Sequence, residues 1–191
     1  MTAISRLVRL ALLLLFLLAS LKNSRAQAVT ILHHFQDGTV ANDGATPYGN
    51  LIQGSDGYFY GTTYSGGSSS RSGTIFKVSP QGTLTILHQL SSSDGESPCA
   101  ALVQAADGNF YGITQSGGAN LGTAFRITAS GQFTVLHNFA DGTVTNDGQS
   151  PSSSLIQASD GNLYGVTSLG GASDNGTVFE MTTTGSVTIL H

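Results

Sequence analysis

Leu51-Ile52-Gln53-Gly54-Ser55-Asp56-Gly57-Tyr58-Phe59-Tyr60-Gly61-Thr62-Thr63 is the stretch that decides the fold, because it occurs three times. It returns at 102–114 (LVQAADGNFYGIT) and at 155–167 (LIQASDGNLYGVT), with seven of the thirteen positions identical in all copies. The spacings are 51 and 53 residues, and other marks keep step with them. Pro47, Pro98 and Pro151 recur, as do Asp43-Gly44, Asp94-Gly95 and Asp147-Gly148. Glycine pairs at 66–67, 117–118 and 170–171 precede Gly-Thr at 73–74, 122–123 and 176–177, and each copy closes on Leu-His. A period of this length denotes a supersecondary unit that buries its apolar faces against its neighbours.

Four short strands account for one copy. Strand a surrounds Leu51-Ile52-Gln53, and Asp56-Gly57 turns the chain, since glycine accepts positive φ and the aspartate caps the turn. Strand b covers 58–64, strand c 74–79 and strand d 83–90, with Pro80-Gln81-Gly82 turning c into d. On strand d strict alternation groups Leu84, Ile86 and His88 on one face and Leu87 on the other. Strand b is apolar on both faces, which suits a sheet covered on both sides. Helical periodicity is missing beyond residue 28, and glycine and β-branched residues are too frequent for it. The expected fold is therefore all-β, a β-propeller-like series of four-stranded antiparallel blades. Residues 47–90, 91–139 and 140–191 form three blades, preceded at 29–46 by an orphan outer strand and a loop. Three blades do not close a ring, so the expectation is an incomplete propeller, a fragment cut short at its C-terminal side. The alternative is self-association through the open propeller edge, two chains making six blades.

Residues 1–28 have a different character. Arg6 and Arg9 precede LALLLLFLL at 10–18, and Ser24-Arg25-Ala26-Gln27-Ala28 offers small-x-small exits after Ala26 or Ala28. That is the pattern of a secretory signal peptide, too short in its apolar run for a stable transmembrane segment. The expected location is secreted or at the cell surface. Four of the seven basic residues lie in this leader, so residues 29–191 keep three against eleven acids, a net charge of −8. Such a surface repels phosphate backbones and argues against nucleic acid as a partner.

The polar residues suggest structure more than chemistry. Asp56, Asp107 and Asp160, each followed by glycine (Gly57, Gly108, Gly161), recur in every copy as turn caps must, whereas a catalytic carboxylate need not. Two longer loops offer Asp37, Asn42 and Asp43, and again Asp141, Asn146 and Asp147, as candidate calcium ligands. Their order is not that of an EF-hand, no glutamate follows, and solvated turns are the competing reading. Otherwise no cofactor is expected. His33, His88, His137 and His191 share one repeat position and are expected at strand ends, separate from each other. Tyr60, Tyr111 and Tyr164 are expected to join blades, ring buried and hydroxyl bonded. Cys99, the only cysteine, stands where the other copies have Tyr48 and Ser152. No nucleophile elbow, zinc-protease motif, P-loop or dinucleotide fingerprint is present.

The unit L-[IV]-Q-x-x-D-G-x-[FL]-Y-G-x-T-x-x-G-G, followed by G-T-x-F and closing on L-H, resembles the GloVer tandem repeat of Gloeobacter and Verrucomicrobia. The resemblance runs over roughly 29–191. It implies a secreted or surface-anchored bacterial protein with many copies of the unit, and it supplies no catalytic residues. The functional expectation is a non-catalytic repeat protein, structural or ligand-binding through its blade loops, whose partner is an extracellular ligand or surface component. A fragment of an extracellular propeller enzyme acting on polysaccharide is the alternative.

Overall fold

The computed structural model describes residues 29–67, 72–119 and 121–191. The leader reading therefore lies outside the described residues. Leu32–His191 forms one contact unit, while Val29 and Ile31 just before it are exposed and outside any strand.

Among the described residues fourteen strands make three antiparallel sheets, one per sequence repeat. Repeat 1 contains β1 (Ala45–Pro47), β2 (Ile52–Gln53), β3 (Phe59–Ser65), β4 (Thr74–Val78) and β5 (Leu84–Gln89). Repeat 2 contains β6 (Val103–Gln104), β7 (Phe110–Thr114), β8 (Thr123–Ile127) and β9 (Phe133–Asn138). Repeat 3 contains β10 (Gly148–Pro151), β11 (Ile156–Gln157), β12 (Leu163–Gly170), β13 (Thr177–Met181) and β14 (Val187–Ile189). The sheet orders are β1-β3-β4-β5, β6-β7-β8-β9 and β10-β12-β13-β14, with β2 and β11 sharing the inner edge of β3 and β12. The molecule is thus an all-β, propeller-like stack whose sheets do not close on one another. No helix among the described residues is long and apolar enough to cross a membrane.

Strand a is split, which its sequence did not announce. Residues just before it pair with the far half of strand b (Pro47 with Thr63, Pro151 with Thr167), and a second short segment pairs with the near half. In repeat 2 a single bridge, Glu96 to Ser116, stands in for the first piece.

Neighbouring sheets pack on each other through apolar side chains of both repeats. Tyr60, Ile75 and Leu90 of repeat 1 meet Leu102, Phe110, Phe125 and Ile127 of repeat 2 in one core. Tyr111, Ile113, Ala124 and Phe139 of repeat 2 meet Leu155, Leu163, Phe179 and Met181 of repeat 3 in the next. Tyr60 lies stacked on Phe110 with ring centroids 3.9 Å apart, a geometry that adds about 1 kcal/mol to the area buried. The invariant glycine of strand b makes room inside each sheet. A Cβ on Gly112 would lie 2.5 Å from the Phe125 ring and 2.8 Å from Leu102. Gly61 and Gly165 face Phe76 and Phe179 in the same way.

Two expectations need correcting. Residues 29–35 do not form a strand. Alternation on strand d also fails. Phe76 pairs with Ile86 but Ile75 pairs with His88, so Leu87 is an extra residue, and Leu136 repeats this between Ala124 and Phe125. The bulge turns His88 away from the face of Ile86 and onto that of Ile75, where it stacks 4.1 Å from Phe133.

Candidate functional site

The repeated polar residues are consumed by the fold in three local networks. In the a–b hairpin, Asp56 Oδ1 accepts the Tyr58 N–H (3.2 Å) and Oδ2 accepts the Tyr60 hydroxyl (2.7 Å). Asp107 does the same for Asn109 and Tyr111, and Asp160 for Asn162 and Tyr164. Gly57, Gly108 and Gly161 complete these turns at φ between +81° and +87°. Burial, reinforced by Asp107, pushes the Tyr111 phenol up to about 12, and burial with Asp56 raises Tyr60 as well. Burial opposes ionisation of Asp107, but hydrogen bonds from Tyr111 and Asn109 outweigh it and hold the carboxyl below its ordinary value. Tyr60 and Tyr111 are fully buried. Tyr164, in the third repeat, is half-buried.

The second network joins one repeat to the next. His33 Nε2 meets Asp43 Oδ2 at 2.8 Å, His88 meets Asp94 at 3.0 Å and His137 meets Asp147 at 2.9 Å. Each histidine occupies the end of an outer-strand position, and each aspartate begins the following repeat. The third network continues inward. Thr74 Oγ1 donates to the Asp43 carbonyl and lies 2.9 Å from Thr63 Oγ1. Thr123 and Thr114 repeat this beneath Asp94, and Thr177 pairs with Thr167 at 2.8 Å. Sequence reasoning placed the histidines at strand ends but did not find their partners. The Asp-Gly mark was the available signal, yet its distance from the histidine varies from ten residues to six.

The candidate calcium ligands separate. Asp43 accepts from the Gln36 N–H besides holding His33, and Asp147 accepts from the Ala140 and Gly148 N–H groups besides holding His137. Both are buried. Asp37 and Asp141 are on the exposed loops and accept from the backbone and hydroxyl of Thr39 and Thr143, which lowers both carboxyls. Asn42 and Asn146 provide turns at φ +55° and +54°. Among the described residues no three His, Cys, Asp or Glu side chains gather at metal-binding distance.

One concave site is built from positions where the repeats differ. Tyr48, Gly49 and Asn50 of repeat 1, Cys99, Ala100 and Ala101 of repeat 2, and Ser152 and Ser154 of repeat 3 line a groove of about 190 Å³. These are equivalent positions at the inner edge of the three sheets. Ser154 Oγ accepts the Ala101 N–H at 3.1 Å, crossing between repeats. Tyr48 is 69% exposed, and its ring lies 5.9 Å from that of Tyr64. Cys99 is half-buried, and burial raises its thiol, which leaves it a poor nucleophile at neutral pH.

Known proteins bear on the fold and the family. The extracellular domain of a proposed hybrid two-component system from B. thetaiotaomicron superposes with a TM-score of 0.54 at 11% identity, over 85% of this chain and 19% of that one. This chain therefore spans about a fifth of that structure's length. A proposed gluconolactonase aligns with a TM-score of 0.38 at 16% identity, over 73% of this chain and 57% of that one. A comparison with curated proteins finds no match. The Gloeobacter/Verrucomicrobia repeat matches residues 20–191. The thrice-repeated hairpin, its Tyr–Asp and His–Asp pairs and its stacked sheets are how this sequence realises that pattern, and the chain belongs to the Gloeobacter/Verrucomicrobia repeat family.

Proposed function

We propose that the chain is an extracellular, non-catalytic repeat array that binds a neutral, polyhydroxylated ligand at the inner groove and the loops around it. The observation that carries this reading is the division of polar groups. The repeated Asp, Tyr, His and Thr side chains are engaged in hydrogen bonds within the fold, while Tyr48, Asn50, Ser152 and Ser154, which vary between repeats, line one groove. The exposed Tyr48 ring, with the half-buried Tyr64 ring beside it, suits the flat face of a sugar, and Asn50, Ser152 and Ser154 supply donors and acceptors around it. A net charge of −8 over residues 29–191 disfavours an anionic ligand. Export is supported by the basic, apolar and small-residue leader. The extracellular domain that shares the fold is in keeping with it.

The test is a glycan array probed with the purified chain and with Tyr48→Ala. Binding to neutral saccharides that drops in the variant supports the reading, and a uniformly blank array removes carbohydrate as the ligand. No ion is part of the proposal. Excess calcium against chelator is expected to leave the melting temperature unchanged, and a rise would return the Asp37 and Asp141 loops to consideration.

A further inference from the structure

The outer strands begin at a position whose side chain changes from repeat to repeat. Leu84, Phe133 and Val187 pair there with the last residue of strand c, respectively Val78, Ile127 and Met181. The Phe133 ring lies on the preceding repeat, stacked 4.1 Å from His88, and 5.2 Å from Phe125 of its own sheet. Leu84 is 9% exposed and shares a cluster with Val40, Phe76 and Val78. Val187 is the smallest of the three and cannot fill the same space.

Beside Val187 a groove of about 510 Å³ runs between repeats 2 and 3, a volume within the range of small-molecule sites. Its walls belong to these two repeats and to the loop that joins them. Leu136 of β9, Val144 of the loop and Val187 of β14 supply apolar surface, and Asn138 and Asp141 are among its polar members. His137 also borders it, but this imidazole is committed to Asp147 and its side chain is 6% exposed.

The joining loop sets the charge of the groove. Between repeats 1 and 2 it is the short stretch 91–93, and between repeats 2 and 3 it lengthens to 140–146 and brings in Asp141. Thr143 donates its N–H and its hydroxyl to Asp141 Oδ1. Those bonds hold the carboxyl below its ordinary value, so it is an anion at neutral pH. No lysine or arginine among the described residues lines the groove. An uncompensated carboxylate at an apolar recess is complementary to a cation with an apolar body. Phe133, one interface earlier, shows that this position accepts an aromatic ring between two sheets.

We propose that this outer groove is a binding site, separate from the groove at the inner edge, for a small organic ammonium ion that carries an aromatic ring. The ring lies over Val187, in the place that Phe133 takes one repeat earlier. The ammonium group meets the Asp141 carboxylate, and the Asn138 amide oxygen is a further acceptor. The other two loops each offer half of this arrangement. Asp37 is the counterpart of Asp141 and accepts from Thr39 in the same way, but Leu84 occupies the position beside it. The loop at 91–93 has no counterpart of Asp141, and Phe133 fills the space. Between repeats 2 and 3 the carboxylate and the open recess occur together.

Calorimetric titration of the purified chain with phenethylammonium chloride tests the site, with phenylacetate as the anion of similar shape. Saturable binding of the cation and none of the anion is expected. Asp141→Asn keeps an oxygen for Thr143 and is expected to weaken binding about fivefold. Val187→Phe supplies the ring from the protein itself, as Phe133 does, and is expected to abolish binding without lowering the melting temperature. Asp37→Asn and Tyr48→Ala are expected to bind as the unaltered chain does. No binding of phenethylammonium, or equal binding of phenylacetate, overturns the site. Binding unchanged by Asp141→Asn or by Val187→Phe overturns its placement, and binding lost in Tyr48→Ala moves the ligand to the inner groove and overturns it as well.

Discussion

Thr62 Oγ1 is buried without a hydrogen-bond partner among the described residues. Its counterparts Ile113 and Val166 carry no hydroxyl, so the cost of burying that oxygen is peculiar to the first interface. Thr62→Val is expected to stabilise the fold by about 1 kcal/mol, read as a higher urea midpoint. The His–Asp pairs separate by burial in the same manner. The side chains of His137 and Asp147 are 6% and 4% exposed, those of His88 and Asp94 26% each. Loss of His137 leaves a buried carboxylate without its partner and is expected to cost about 3 kcal/mol for His137→Ala. Water replaces His88, so His88→Ala is expected to cost less than about 1 kcal/mol in the pair itself. Equal losses in the two variants, measured by denaturation, would contradict a clamp whose worth depends on burial. Both partners of each pair stood out in the sequence. Their union did not, because the chain between them loops back by a path whose length changes from copy to copy.

At the scale of the strand, the c–d turn has two duties. Gly131 has φ +92°, and a Cβ there would lie 2.8 Å from the Leu87 carbonyl of the preceding repeat. Gly108 has φ +81° with nothing within 4 Å of such an atom. Gly108→Ala therefore meets only backbone strain, about 1 kcal/mol. Gly131→Ala meets that strain and a clash with a carbonyl, together about 3 kcal/mol. Thermal melts of the two variants compare turn strain with contact between repeats, and equal shifts would mean that the Leu87 carbonyl moves aside freely. The turn was legible from Gly131 itself, and the strands from their alternation and apolar runs. The bulge at Leu87 was not, because alternation assumes a pairing that only the neighbouring strand can set. Split strand a was hidden for the same reason: two- and three-residue segments exist only through their pairing with strand b.

For the molecule as a whole, the tyrosines that join sheets set the alkaline limit. Tyr111 ionises at about 12 when folded and near 10 when unfolded. Its contribution is fully present below about pH 10 and is lost as the pH climbs toward 12. Asp107 is lowered on folding, so its contribution is lost as the pH falls below the ordinary carboxyl value. The melting temperature is expected to fall between about pH 10 and pH 12, and to fall less in Tyr111→Phe. An identical alkaline slope in that variant would show that the phenol is not the group responsible. The amino-acid sequence by itself determined that this chain is a threefold array of small sheets, where the strands and turns lie, and that no familiar catalytic motif is present. Those properties are local, fixed by backbone preference and by the spacing of apolar side chains within some fifty residues. Only the tertiary structure decided which repeated residues meet across repeats and that Tyr48, Cys99 and Ser152 come together at one groove. Contacts between repeats depend on sheet twist, on one extra residue in each outer strand and on the course of the linkers, and these take their values only when the sheets are stacked.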